Sequence, residues 1–292
     1  SGQAIVGLTD RDGLYGAVRW ARACEAAGVH PVIGVDMAVE ETTPRDPARA
    51  RQRRTPAHGG TWLEESRPRV LLLASNARGW ASLCRVVSAA HQGSHTERGT
   101  PWLTWEALRE HHEGLVALLP ATSELGRMIS TQRSHRAASV VRPWRAIFGR
   151  RLGVAVTSHR RVAGHPHSLQ TAAGMLTWAR GEQLPVVLTN AVRYLGPDDA
   201  RVADVLDSAR RLVPLNSRHI SPDNGEAYVK DSAEMSRVAD EIAVVAGERS
   251  GRRLLEDTQR LAEFCVLDPR EDLGLGEVFV PELDVLLRTP VP

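Results

Sequence analysis

The sequence predicts an α/β fold built on a parallel sheet with helices over its outer face. Three observations carry this: six apolar runs of strand length, helical periodicity between them, and the regular alternation of the two. The runs are Ala4 to Leu8, Pro31 to Met37, Val70 to Ala74, Leu115 to Leu119, Leu152 to Thr157 and Val186 to Thr189. Between them, segments such as Leu14 to Ala27 and Gly79 to Ala90 repeat apolar residues at helical spacing. A closed barrel of such units needs seven or eight strands, so a first strand upstream of Ser1 is the expectation.

The first interruption is Thr42 to Gly60. It holds Pro44, Pro47 and Pro56, the arginines Arg45, Arg49, Arg51, Arg53 and Arg54, and the pair Gly59-Gly60. Such a segment is too polar for the core and too irregular for a helix. It reads as a surface insertion, and its arginines are candidates for contact with a nucleic-acid backbone or a partner protein. After Pro214 the pattern changes to two helices, Ser232 to Gly247 and Leu254 to Cys265, joined by the basic turn Arg249 to Arg253. Asp231 or Ser232 caps the first. The division expected is a barrel over residues 1–215 and a helical extension over 216–292. The last stretch, "LGLGEVFVPEL", adds nothing that closes a core, which points to a further domain beyond it.

A 42% hydrophobic and 25% charged composition is that of a globular protein. No window nears the roughly 18 apolar residues of a membrane span, and Ser1-Gly2-Gln3 opens no signal peptide, so no membrane partner and a cytoplasmic location are expected. Net charge is only +2, with Lys230 the single lysine. Arginine favours bidentate phosphate contacts, but this balance alone does not indicate nucleic acid. Cys24, Cys84 and Cys265 are scattered without CxxC spacing and read as buried structural thiols.

Chemistry-bearing residues collect at strand ends. "LTDRDGLYG" sets Asp10, Arg11 and Asp12 at a strand-to-helix junction, where two carboxylates hold a metal, act as acid and base, or cap the helix. Arg11 tips the balance against a divalent ion by competing for the same oxygens. Asp36 ends the second strand, and His91 closes a helix with His95 in the loop after it. His111, His112, His159, His165 and His167 are loop histidines read as mostly solvated. Trp102 and Trp105 flank a loop and are candidates for base stacking. No P-loop, GxGxxG after a strand, or GxSxG elbow is present.

Taken in order, "LTDRDGLYGAVRWARACEAAGVHPVIGVDM", "GWASLCRVVSAAH", "EGLVALL", "LPVVLTNAVRYLGPDDARVADVLDSAR" and "YVKDSAEM" resemble the polymerase and histidinol phosphatase (PHP) domain of bacterial family C DNA polymerases. The likeness covers almost the whole chain and is strongest to the error-prone, alpha-like branch of the DNA polymerase III alpha subunit family. It implies a distorted TIM-like barrel of seven βα units, with the tail as the helical link into a polymerase palm. Working PHP sites hold up to three metals on strand ends. Carried over position by position, that set is depleted here. The opening H-x-H motif would lie upstream of Ser1. Asp10 is kept, Arg11 replaces a histidine, Asp36 replaces a glutamate and His91 is kept. The cysteine position falls at Ala121, and the paired ligands of T-N-D-V-H-Y fall at Ala191 and Arg193.

The resemblance therefore implies a vestigial metal site of Asp10, Asp36 and His91, with Arg11 and Arg193 pairing to Asp10 and Asp36. No catalytic residue and no cofactor are expected in this stretch, with residual manganese or zinc as the alternative and magnesium in the parent polymerase. Expected partners are the palm and thumb of the same polypeptide, DNA, and accessory replication or mutasome proteins. Two other functions stand beside the structural one: a residual metal-dependent phosphoesterase or 3′-5′ exonuclease, and a DNA- or partner-binding module working through the arginine insertion.

Overall fold

All six apolar runs form strands of one curled sheet. The computed structural model describes residues 2–42, 55–56, 62–63, 67–92, 101–216 and 220–276. The five insertion arginines, Arg45, Arg49, Arg51, Arg53 and Arg54, lie outside the described residues, as do His95 and the stretch 277–292. In chain order the strands are β1 (Ile5–Arg11), β2 (His30–Val39), β3 (Thr55–Pro56), β4 (Trp62–Leu63), β5 (Arg69–Ala74), β6 (Trp102–Leu103), β7 (Leu115–Leu119), β8 (Leu152–Val156) and β9 (Val186–Leu188). The large sheet runs β1-β2-β5-β7-β8-β9, with β6 paired to β2, while β3 and β4 pair only with each other.

The expectation of an all-parallel sheet is corrected at one strand. β5 runs antiparallel to both neighbours, β2 and β7, while every other pairing in the large sheet is parallel. A parallel neighbour needs a crossover, usually helical, whereas an antiparallel one can follow directly. Among the described residues the β2-to-β5 connection carries the β3–β4 hairpin and no helix.

Alternation within each strand divides the core. Val35, Leu72, Ala117, Val154 and Val186 face the helical layer in one large cluster; Val32, Leu73, Val116, Leu118 and Ala155 form a smaller cluster with Cys265 on the opposite face. The layer comprises α1 (Ala17–Ala27), α2 (Ala77–Gln92), α3 (Trp105–Glu110), α4 (Glu124–Ser130), α5 (Ala137–Phe148) and α6 (Leu169–Gly181), with α7 (Ala200–Arg211), α8 (Ser232–Val245) and α9 (Arg252–Phe264) following. The large core crosses position 215, since Val238, Ile242, Leu254 and Leu267 belong to it.

α9 packs against β9 and also touches β1, the two ends of the sheet. The Thr258 hydroxyl accepts from Leu188 N–H at 2.8 Å, and Val266 bridges Val32. Open strand edges invite pairing with other chains, and a helix laid along them satisfies their backbone groups instead. Cys24 and Cys265 are buried as expected; Cys84 is exposed on α2, correcting its reading as a core thiol.

α8 starts on a capping box. Asp231 accepts from Glu234 N–H at 2.7 Å, and Glu234 accepts in return from Asp231 N–H at 3.0 Å. Asp231→Ala is expected to cost about 1 kcal/mol, read as a lower urea midpoint at unchanged slope. An unshifted midpoint would show that tertiary packing alone sets this terminus.

Candidate functional site

The sequence candidates converge on the mouth of the barrel, where β1 and β2 end. Asp10, on β1, accepts from Gly16 N–H at 2.5 Å and so anchors the entry to α1. Asp12 is held in the left-handed region at φ 58°. Three contacts fix it there: its N–H donates to Asp36 O at 2.9 Å, its carboxylate meets Arg69, and its carbonyl takes a hydrogen bond from His91 Nε2 at 2.7 Å. A carbonyl can only accept, so His91 carries its proton on Nε2 and that nitrogen has no lone pair for a metal.

Arg69 is the centre of this arrangement. Only 5% exposed, it donates from Nε to Asp36 Oδ1 at 2.7 Å and from Nη2 to Asp12 Oδ1 at 2.7 Å and Asp36 O at 2.6 Å. Burial alone would lower its pKa, and the two carboxylates outweigh that and raise it. Arg11 lies beside it, 3.5 Å from Asp12. Burial first, and then the Arg69 cation, push Arg11 below its ordinary value against the pull of Asp36 and Asp12. Two guanidinium groups and two carboxylates thus balance one another at this end of β1 and β2.

Arg69 was missed in the sequence because of the direction of β5. In the antiparallel register it pairs with Ala38 near the end of β2. A parallel β5 would have carried it to the far end of the barrel.

Arg193 goes elsewhere. It pairs with Asp207 at 3.1 Å and Asp223 at 3.5 Å, which corrects the expected pairing with Asp10 or Asp36. Ala121 is buried at 3% exposure beyond β7, against the backbone of α4 at Gly126. Ala191 takes φ 44° directly after Asn190.

This half of the mouth is laced to the tail. Asn190 Nδ2 donates to Glu226 O at 2.9 Å and Tyr228 O at 2.7 Å, while Tyr194 and Tyr228 form a parallel bridge. Arg160 grips Glu226 and Glu241 together, which raises its pKa. His159 is buried, correcting its reading as solvated; its Nε2 donates to Asn190 O at 2.8 Å and its ring meets that of His167 edge-on at 4.8 Å. The tryptophans considered for stacking are engaged internally: Arg67 lies 3.9 Å over Trp102, and Trp105 meets Trp144 edge-on at 4.8 Å.

Among the described residues, no group of three or more histidine, cysteine, aspartate or glutamate side chains is placed to hold a metal ion. Nor is any described helix long and apolar enough to cross a membrane.

Residues 1–159 match the sequence model of the PHP domain. The chain belongs to the PHP domain family. This PHP domain is 28% identical over 288 residues to DNA polymerase III subunit alpha of Thermus aquaticus, covering 98% of the chain and 21% of that protein. Against the protein of the same description in Xylella fastidiosa (strain 9a5c) it is 25% identical over 291 residues, covering 97% and 21%. With the error-prone DNA polymerase of Mycobacterium tuberculosis (strain CDC 1551 / Oshkosh) it shares 28% over 279 residues, covering 91% and 23%. The chain spans about a fifth of the length of the curated relatives it matches. The mixed sheet with its outer helical layer is the distorted barrel expected for a PHP domain.

Proposed function

We propose that this PHP domain is a non-catalytic structural module of a bacterial DNA polymerase of the alpha or error-prone type. The observation that carries the reading is the buried Arg69 guanidinium occupying Asp12 and Asp36. The donors present do not fit the family's metal cluster. Several divalent ions need many anionic or neutral donors. Here Asp36 is spent on Arg69, Asp10 on the α1 entry, and His91 Nε2 on a carbonyl, while Ala121, Ala191, Arg11 and Arg193 supply no donor. Ion pairs hold the geometry that metals would otherwise fix.

The relatives' names indicate a DNA polymerase, and the rest of the proposal is what the family resemblance implies. The full polypeptide would extend DNA with magnesium and palm carboxylates outside this chain, and this domain would pack against its palm and thumb. The outward stripe of α7 supports such packing, since Val202, Val205 and Leu206 are all more than half exposed at helical spacing.

Metal analysis of the purified chain after incubation with manganese or zinc is expected to find no stoichiometric ion. Hydrolysis of nitrophenyl phosphate or of a DNA 3′ end should stay at the blank rate. Two or three bound equivalents, with hydrolysis lost in Asp36→Asn, would replace this reading with the residual phosphoesterase.

A further inference from the structure

From Leu125 to Gly181 the sequence contains no aspartate or glutamate, yet it contains ten arginines. The chain's 35 acidic residues in 292 would place about seven in a stretch of that length at random. An arginine-rich composition does not empty a segment of acids, so the pattern belongs to this region. The stretch runs from α4 through α6, and six of its ten arginines lie on α5 or directly flank it, while Arg160 and Arg180 are paired with carboxylates of the tail. Arg133, Arg136, Arg142, Arg145 and Arg150 are exposed around α5, and Arg151 is half-buried.

The helix explains the display. Val140, Val141, Trp144 and Phe148 turn inward to the core, which leaves Arg142 and Arg145 on the solvent side. Arg133 and Arg136 precede the first turn, and Arg150 and Arg151 follow the last. The row extends past both ends of a helix about 18 Å long, the axial rise of about five phosphates on one DNA strand. Arg145 is bonded to Glu182 at 3.1 Å. The other five have no carboxylate partner among the described residues. Among the described residues no carboxylate neutralises these five guanidinium groups, and in a row they form a positive ridge.

We propose that this α5 face is a docking surface for the phosphate backbone of duplex nucleic acid. Guanidinium forks match phosphate oxygens bidentately. Between Arg133 and Arg151 the described surface exposes no large apolar side chain. An amphipathic membrane contact would need such groups, and so would base stacking on a single strand. A ridge of charge without apolar or aromatic anchors reads backbone and not sequence. The proposal is independent of the metal question at the barrel mouth; the arginine insertion begins at Thr42, whose hydroxyl donates to Val140 O on α5 at 3.5 Å, so the test deletes it separately.

The test is fluorescence anisotropy of the 292-residue chain with a labelled 20-base-pair DNA duplex across a salt series. Matched RNA duplex, single-stranded DNA and phosphatidylserine vesicles serve as the other arms. The expected result is duplex binding that tightens at low salt. In the variant R136S/R142S/R150S the slope of log affinity against log salt should fall by about 2 to 3, and affinity by at least tenfold. All three positions are exposed, and an unchanged melting temperature verifies the variant's fold. Deleting residues 44–60 should leave the slope within one unit of the parent. The proposal is overturned if the duplex does not bind at low salt, if the triple variant keeps the parent's slope, or if single strands or vesicles bind in its place. Equal binding of the RNA and DNA duplexes supports a backbone site; binding of the RNA duplex alone overturns it.

Discussion

Replacing Arg69 with methionine is expected to cost about 3 kcal/mol, because Asp12 and Asp36 are then left in a half-buried rim without their shared cation. Breaking a buried pair from one side is the costly operation, since the desolvation of the surviving charges is no longer offset. Scanning calorimetry should show a fall of roughly 6–10 °C. The triple variant Arg69→Met with Asp12→Asn and Asp36→Asn should recover much of the loss, because neutral amides remain after the charges go. If Arg69→Met melts within a degree of the parent, the guanidinium does not hold the mouth together and the proposed replacement of metals by ion pairs fails with it.

Acid should weaken the fold through the histidine cluster. Burial, followed by the neighbouring His159, His165 and Arg161 charges, pushes His167 down to about 3, with Asp223 pulling weakly the other way. Burial also lowers His159 and His165. A histidine whose folded pKa lies below its unfolded value takes up protons preferentially in the unfolded state. Its neutral form is fully compatible with folding above about pH 6.5, and stability falls as pH drops from there towards about 3. Urea unfolding at pH 7.5 and pH 5 should therefore differ by about 1–2 kcal/mol from His167. His167→Gln should flatten that difference. Equal pH dependence in parent and variant would mean that the ring titrates freely and that the contact with His159 is incidental.

The central strands were legible in the sequence because they are buried on both faces, so Val70 to Ala74 or Leu115 to Leu119 stands out as a continuous apolar run whatever its neighbours do. Direction is not encoded in that signal. β5 reads the same upward or downward, and its reversal hid Arg69 one residue outside the expected strand. The candidates Asp10, Asp36 and His91 do gather at one end, since strand and helix boundaries place them there. Their partners were illegible because each is set by long-range contact: Arg69 to Asp12 across 57 positions, His91 to Asp12 across 79. Arg193 was misassigned because α7 and the tail fold back to present Asp207 and Asp223. His159 looked solvated in a polar loop because nothing local announces that Asn224 reaches its carbonyl and Asn190 O its ring.

The reversed β5 also decides where this barrel can accommodate novelty. Since it descends where its neighbours climb, the chain leaves β2 and re-enters β5 at the same end, with Val39 N–H meeting Pro68 O at 2.9 Å. Closing a loop across stems already joined costs little more as it lengthens, about 0.6 kcal/mol per doubling. A longer connection there leaves the register of the other strands untouched, because the chain re-enters the sheet at Arg69 beside the end of β2.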